Sequence, residues 1–324
     1  MSARYPAFDP SGLVLRPLAE RDDDLREGFV LPLRAYTGHI APAIAAAADA
    51  MTRARTRGAN TLFLCGAHVL RAGVQRYLFD MMHKGFVQGI AVNGAMAVHD
   101  YELALRGTTT ESVARYIKDG RFGMWRETGQ INEIVNAGAA RGEGFGEALG
   151  KELAEGAYVH KELSLFARAW ELGIPVTVHV SIGYDIIHAH PNFDGGATGT
   201  ASHRDFLIFA ALLDKLERGV LCSFGSAVMA PEVFLKALSM VRNAALAQGR
   251  SINHFTSLVC DLLDIPEQAG AEAPKNDPRY YFRPWKTLLS RTVAGGGRSW
   301  YCRARHEESF PQLWQALMTT GGPQ

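Results

Sequence analysis

The feature that most constrains this chain is a short apolar run closed by glycine and followed at once by a helical stretch. Thr61-Leu62-Phe63-Leu64-Cys65 is such a run, ended by Gly66, and a helix is expected from about Val69 to Lys84. Ile90-Ala91-Val92 comes next, ended by Asn93-Gly94-Ala95. Strand, glycine-bearing turn, helix, strand is the βαβ signature, and strands that read as continuous apolar runs belong to parallel sheets covered on both faces. The alternation returns further on. Leu163 to Leu172 reads as helix ended by Gly173, Pro175 to Val180 as strand, and His203 to Arg218 as helix ended by Gly219. Val220 to Phe224 is a strand running into Gly225-Ser226-Ala227, Glu232 to Gln248 a helix, and Phe255 to Leu263 holds another strand. The tail from Thr287 is expected to add a strand or two and a short helix near Pro311 to Met318. The fold class is therefore α/β, one domain with a mostly parallel sheet flanked by helices.

The flanking segments are less regular. Met1 to about Arg34 is Pro-rich and charged and reads as an arm, residues 1–34, that wraps over a core or a neighbouring subunit; residues 35–324 form the domain. Ile40 to Arg57 is Ala-rich and expected to be helical. A helix over Thr110 to Lys118, capped by Thr109 or Thr110, a loop over Gly120 to Gly129, a helix over Gln130 to Arg141 and a polar loop over Pro266 to Pro278 complete the pass.

Charge and cysteine usage narrow the class of function. Lys plus Arg number 34 against 33 Asp plus Glu, so the basic footprint of a nucleic-acid binder is missing. No stretch reaches the ~18 apolar residues of a membrane span. The four cysteines, Cys65, Cys222, Cys260 and Cys302, lie far apart without a CxxC pair and read as buried free thiols of a reducing, cytoplasmic compartment. A small-molecule enzyme is the expectation.

In parallel sheets ligands gather beyond the carboxyl ends of the strands. Those ends are Gly66-Ala67-His68, Asn93-Gly94-Ala95, the segment after Val180, and Gly225-Ser226-Ala227. Their small residues let a backbone approach a ligand, although GxGxxG and Walker patterns are both absent. From His179 to Asp194 the chain carries three histidines and two aspartates in sixteen residues. That composition is costly to bury unless used or paired. Asp185 is the candidate anchor for a cation, with His188 or His190 as acid-base, and Asp194 as a further substrate contact. His99 and Asp100, after the second turn, form either part of a site or a helix cap. His188 and His190, with Asp194 or His179, also permit a metal reading, but no HExxH or second HxxxH accompanies them. Phe224-Gly225-Ser226-Ala227 lacks the second glycine of a serine-nucleophile elbow. Ala294-Gly295-Gly296-Gly297-Arg298 resembles a phosphate loop without the following Gly-Lys, and a tight hairpin turn is expected there. Lys286 and Arg291, beside Tyr280, Tyr281 and Trp285, and His306 further on, form a substrate lid or anion clamp, or a subunit contact.

The stretches GAHVLRAGVQRYLFDMMHKGFVQGIAVNGAMAVHDYELAL, IPVTVHVSIGYDII and GSAVMAPEVFLKALSMVRN resemble deoxyhypusine synthase and its bacterial relatives in order and spacing. The resemblance implies a Rossmann-like homotetramer that uses NAD to oxidise a polyamine and passes the aminobutyl group through a lysine imine. It places cofactor contacts at Gly66-Ala67-His68, Asn93-Gly94-Ala95 and Gly225-Ser226-Ala227. A family carboxylate falls on Asp100, and the amine-holding aspartate on Asp185. The family's Ser-Trp-Gly-Lys motif is absent; Ser290-Arg291-Thr292 stands in its neighbourhood, and Trp285-Lys286 has different spacing. The expected function is an NAD-dependent enzyme, of transferase or oxidation chemistry, acting on a small amine-bearing metabolite. Two alternatives stand beside it: a lyase, hydrolase or transferase without NAD that uses His188 and His190, with or without a metal, and an inactive ligand-binding homologue.

Overall fold

Five of the apolar runs and a sixth, more polar strand near the C-terminal end lie side by side, all parallel. The computed structural model describes residues 4–26, 28–266 and 270–320. The first residues of the arm, and part of the polar loop expected over Pro266 to Pro278, lie outside them. We label the strands of the main sheet β1 (Thr61–Cys65), β2 (Gly89–Asn93), β3 (Val176–His179), β4 (Val220–Phe224), β5 (Thr256–Asp261) and β6 (Arg298–Arg303). Their spatial order is β3-β2-β1-β4-β5-β6. This is the 3-2-1-4-5-6 order of Rossmann folds, with its reversal between β1 and β4. Side chains alternate across the sheet. Phe63 and Cys65 of β1 join a core with Cys222, Cys260 and Phe310, while Leu62 and Leu64 join a second core with Phe209, Phe234 and Trp285. All four cysteines are buried and free.

The helices are α1 (Pro42–Arg57), α2 (Gln75–His83), α3 (Gly94–Arg106), α4 (Gln130–Ala140), α5 (Phe145–Glu155), α6 (Leu165–Glu171), α7 (Gly195–Leu213), α8 (Met229–Ala247) and α9 (His306–Thr320). Several differ from expectation for identifiable reasons. The helix expected over Val69 to Lys84 is two, His68–Arg71 and α2, parted at Gly73. Gly73 adopts φ +69°, and a Cβ there would meet the Phe29 carbonyl at 2.6 Å, so the arm rests directly on the break. Thr109–Glu111 is a strand instead of the start of a helix, because it pairs antiparallel with Asp23–Leu25 of the arm. α7 begins eight residues before His203, since the Asp194 carboxylate accepts hydrogen bonds from the Gly196 and Ala197 amides at 2.7 and 3.0 Å. The glycine-rich turn before Arg298 is no hairpin; it leads from a buried π-helical turn, Pro284–Arg291, into β6, which is parallel to β5.

The edge strand β3 would leave amides unpaired on its outer side. The buried Asp205 carboxylate of α7 closes it, accepting from the Val178 amide at 2.7 Å and from Gly146 at the start of α5 at 2.9 Å. Burial, opposed by those two hydrogen bonds, pushes this carboxyl up to about 7. Among the described residues no helix is long and apolar enough to cross a membrane.

Candidate active site

Two cavities open at the carboxyl ends of the strands and share a wall. The first, about 500 Å³, lies at the β1/β4 reversal and is lined by His68, Arg71, Gly225, Asp261, Arg305 and His306 among others. Here the turns after β1 and β4 nearly touch. A Cβ on Gly66 would meet the Gly225 carbonyl at 2.1 Å, and one on Gly225, whose φ is +64°, would meet His306 Nε2 at 2.6 Å. Glycine is therefore required at both positions. Ala67 precedes the short helix that carries Arg71, and the Ser226 hydroxyl accepts the Ala230 amide at 3.2 Å, fixing the start of α8. Arg71 donates to His68 Nε2 at 3.2 Å, since a guanidinium has no lone pair to offer. Neither Arg71 nor Arg305 has a carboxylate partner among the described residues. Burial, and for His68 also the charge of Arg71, lower the imidazoles of His68 and His306 from the usual histidine range.

The second cavity, about 520 Å³, is lined by Arg71, Ala95, His99, Glu102, Thr110 and Asp185 among others. Asn93 caps α3 by accepting the Met96 amide at 3.2 Å. At the next residue, Gly94, a Cβ would strike Asp185 Oδ2 at 2.0 Å, so the carboxylate rests on the first turn of α3. The positive end of that helix faces it. Among the described residues no side chain donates a hydrogen bond to this carboxylate; His188 Nε2 lies 3.9 Å from Oδ2. Burial pushes Asp185 up to about 6. A nearly desolvated carboxylate with no Lys or Arg partner among the described residues is suited to an ammonium group.

Opposite stands a relay that begins in the arm. Arg21 donates twice to Glu102, at 2.7 Å each, and to Asp23 at 2.6 Å, all three side chains being buried. Burial alone would raise the Glu102 carboxyl, but the two Arg21 hydrogen bonds and its charge hold it below the usual carboxylate range. Glu102 accepts the Thr109 hydroxyl at 2.7 Å and the Thr128 hydroxyl at 3.2 Å. Thr109 has then spent its only proton, so the 2.7 Å contact to His99 Nδ1 requires His99 to donate. His99 is thus held with its Nε2 lone pair free, and burial lowers it to about 4. Beside it Thr110 adopts φ +74°, a region β-branched residues almost never occupy, with its hydroxyl buried and unpartnered. Strain of this kind, on the order of 1–3 kcal/mol, gathers at ligand sites.

Of the candidates read from sequence, Asp185, His99, Gly94 and Ala95 meet around this second cavity, and His68, Gly225, Ala227 and His306 around the first. The others have different employment. Asp100 points away from His99 and accepts Ser164 Oγ and the Leu165 and Phe166 amides at 2.5, 2.6 and 3.2 Å, capping α6 from outside. His188 Nδ1 accepts the Gly183 and Asp185 amides at 3.0 and 3.2 Å, which makes it a brace behind Asp185. His190 donates from Nε2 to the Gly123 carbonyl at 2.7 Å and is buried. Asp194 caps α7. Lys286 lies under the rings of Tyr280 and Tyr281, 3.6 and 5.3 Å from their centroids, and Arg291 is paired with Glu272 at 2.7 and 2.8 Å. Among the described residues no three His, Cys, Asp or Glu side chains are grouped to hold a metal ion. Sequence reading overlooked Arg21, Arg71, Glu102, Thr109 and Thr110. One signal was available: His99 and Glu102 are one helical turn apart, so they share a face that Asp100 does not.

Residues 45–144 match the model of the ArgZ-like arginine dihydrolase C-terminal domain, a Rossmann fold. Among solved structures, a cysteine-to-alanine mutant of AgrE bound to L-arginine is 14% identical over 86% of this chain and 33% of its own, with a TM-score of 0.50. A LOR/SDH protein from Methanococcus maripaludis S2 is 15% identical over 90% of this chain and 74% of its own, with a TM-score of 0.49. An Entamoeba histolytica structure described as a deoxyhypusine synthase is 9% identical over 85% and 87%, with a TM-score of 0.41. At these identities the likeness is one of fold. The chain spans about a third of the length of AgrE. No curated protein matches the sequence.

Proposed function

We propose that this protein is an NAD-dependent enzyme that oxidises a small amine-bearing metabolite of the amino-acid type. The observation that carries the reading is Asp185, a carboxylate without a protein cation, set across a cavity from His99 and one wall away from the strand-reversal crevice. The ArgZ-like domain family supplies a precedent for the fold, and AgrE has been solved with ornithine and NAD+. The residues of the crevice fit a dinucleotide by their chemistry. Arg71 and Arg305, without a carboxylate partner among the described residues, are guanidiniums for a diphosphate, Asp261 at the end of β5 is an acceptor for ribose hydroxyls, and Gly225 leaves backbone open to approach.

NAD, when bound, supplies a hydride acceptor. The chain supplies the rest. Asp185 holds the ammonium and fixes which carbon is presented. His99 Nε2 takes the proton that the ammonium must lose before its carbon can be oxidised, and Thr109 and Glu102 stabilise the imidazolium that forms. Overall, a primary ammonium on a carbon that bears hydrogen, together with NAD+, becomes the protonated imine of that carbon, NADH and a proton. The nitrogen lone pair freed by deprotonation at His99 would form the carbon–nitrogen double bond as the substrate carbon gives up its hydride, which NAD would accept when bound. His188 holds the Asp185 loop in place and moves no proton in this scheme. Aminobutyl transfer through a lysine, which the deoxyhypusine synthase resemblance implied, is not part of the proposal, because Lys286 is occupied beneath two tyrosines.

The test is calorimetric titration of nucleotide-free protein with NAD, followed by a screen of α- and ω-amino acids and diamines for formation of reduced nicotinamide. Micromolar NAD binding, with turnover abolished in Asp185→Asn and cut by about 10²–10⁴ in His99→Ala, is the expected result. Absence of NAD binding by the native chain, or full turnover in Asp185→Asn, would sink the reading.

A further inference from the structure

The opposite rim of the sheet carries a second concentration of charge. A cavity of about 460 Å³ opens at the amino ends of β4, β5 and β6, bounded by Gly219, Thr256 and Arg298. It is about one strand length, ~17–20 Å, from the crevice at the carboxyl ends. Four arginines line it, Arg53, Arg57, Arg218 and Arg298, together with His254. Arg53, Arg57 and Arg298 have no carboxylate partner among the described residues, and all four are exposed. Of the acids near them, Asp49 stands one turn before Arg53 on α1 without an ion pair to it among the described residues, and Glu217 is already engaged. It accepts the Asn253 and His254 amides at 2.7 and 3.0 Å and His254 Nδ1 at 2.8 Å, and lies 3.8 Å from Arg218.

This clustering is not the cheapest arrangement for the chain. Arg53 and Arg57 are one turn apart on α1, where like charges repel. The negative end of α1 offsets part of that at Arg57. Arg218 holds a left-handed backbone, φ +65°, that non-glycine residues seldom adopt. The glycine-rich turn before Arg298 now has an employment. Gly296 adopts φ +121°, and a Cβ on it would meet the His254 ring at 2.9 Å, so only glycine lets the imidazole lie on the cavity wall. In a chain whose net charge is +1, four guanidiniums on one small concave surface form a local field that attracts a multiply charged anion.

We infer that this cavity binds a small phosphorylated anion, a diphosphate or phosphate ester carrying two or more negative charges, at a site separate from the cleft at the carboxyl ends. Guanidiniums bind such oxygens in pairs, and the volume falls in the range of small-molecule sites. The inference does not depend on the reaction proposed above.

The experiment is calorimetric titration of the full chain with inorganic pyrophosphate. It compares the native protein, an Arg57→Ser, Arg298→Ser variant and an Arg71→Ser, Arg305→Ser variant, with thermal melts to verify that each is folded. Because both pairs are exposed, the substitutions leave the core intact. We expect the first variant to weaken the event that belongs to this cavity at least about tenfold for each guanidinium removed, while binding at the Arg71 and Arg305 crevice persists in it, and the second variant to retain the cavity's event at native affinity. Failure of the native chain to bind pyrophosphate, or binding lost only in the second variant, would overturn the inference. So would a site that ignores pyrophosphate and takes only an oligonucleotide or an acidic face of a second copy.

Discussion

At the scale of single residues, Asp185 separates binding from stability. Its carboxyl titrates at about 6 in the folded chain against 3.8 in an ordinary aspartate, so the folded state holds its proton more tightly. Its contribution to stability is therefore greatest below about pH 4 and is lost as pH rises to about 6. Asp185→Asn should be more stable than the native chain at pH 7, by roughly 1–3 kcal/mol, with the gain fading towards pH 4; denaturant melts at both values measure it. In kinetics the same group predicts that kcat/KM for an amine falls on the acid side with a midpoint near 6, because a neutral carboxyl cannot hold an ammonium. His99, lowered to about 4, keeps its lone pair across that range and adds no limb there. A midpoint near 4, or an unchanged profile in Asp185→Asn, would contradict this. That Asp185 lines a cavity could be anticipated from sequence, because aspartate among apolar neighbours beyond a strand is a conspicuous expense. The division of labour between His99, Asp100 and Glu102 could not be read from adjacency, since helical geometry sends neighbours in sequence to different faces. His188 and His190 were conspicuous for a related reason, yet each spends its nitrogens on backbone groups.

At the scale of elements, the first five parallel strands were legible because burial on both faces leaves no room for polar alternation, whereas the edge strand β6, RSWYCR, is half exposed and alternates in a way an apolar run does not. Boundaries failed where a partner remote in sequence decided the matter. Thr109–Glu111 became a strand because the arm offers it one. The start of α7 contains three glycines and two threonines, poor helix formers that capping by Asp194 and packing override. Asp205 belongs to this scale as well. Its replacement by alanine strips two buried amides of their acceptor, one on β3 and one on α5. We expect a loss of roughly 1–3 kcal/mol and faster hydrogen exchange at Val178, read by mass spectrometry of peptides from that strand. Native exchange at Val178 in Asp205→Ala would show that another group closes this edge.

At the scale of the whole molecule, the arm is structural and also part of the cleft. Leu25 lines the reversal crevice, Asp24 the cavity that holds Asp185 and His99, and Arg21 neutralises Glu102 at the base of the relay. Arg21→Ala leaves a buried carboxylate without its cation, which costs about 3–5 kcal/mol. The arm should then become sensitive to limited proteolysis before the sheet unfolds, and His99 should lose its held tautomer. An arm in that variant as resistant as the native one would refute the coupling. The separation of 81 positions between Arg21 and Glu102 also sets a timetable. At a synthesis rate of roughly 5–20 residues per second, the arginine is made roughly 4–16 s before the glutamate that it neutralises. During that interval the nascent arm has no seat, so the relay cannot close until residue 102 of the 324 has been made, while four of the six strands of the main sheet are still to come.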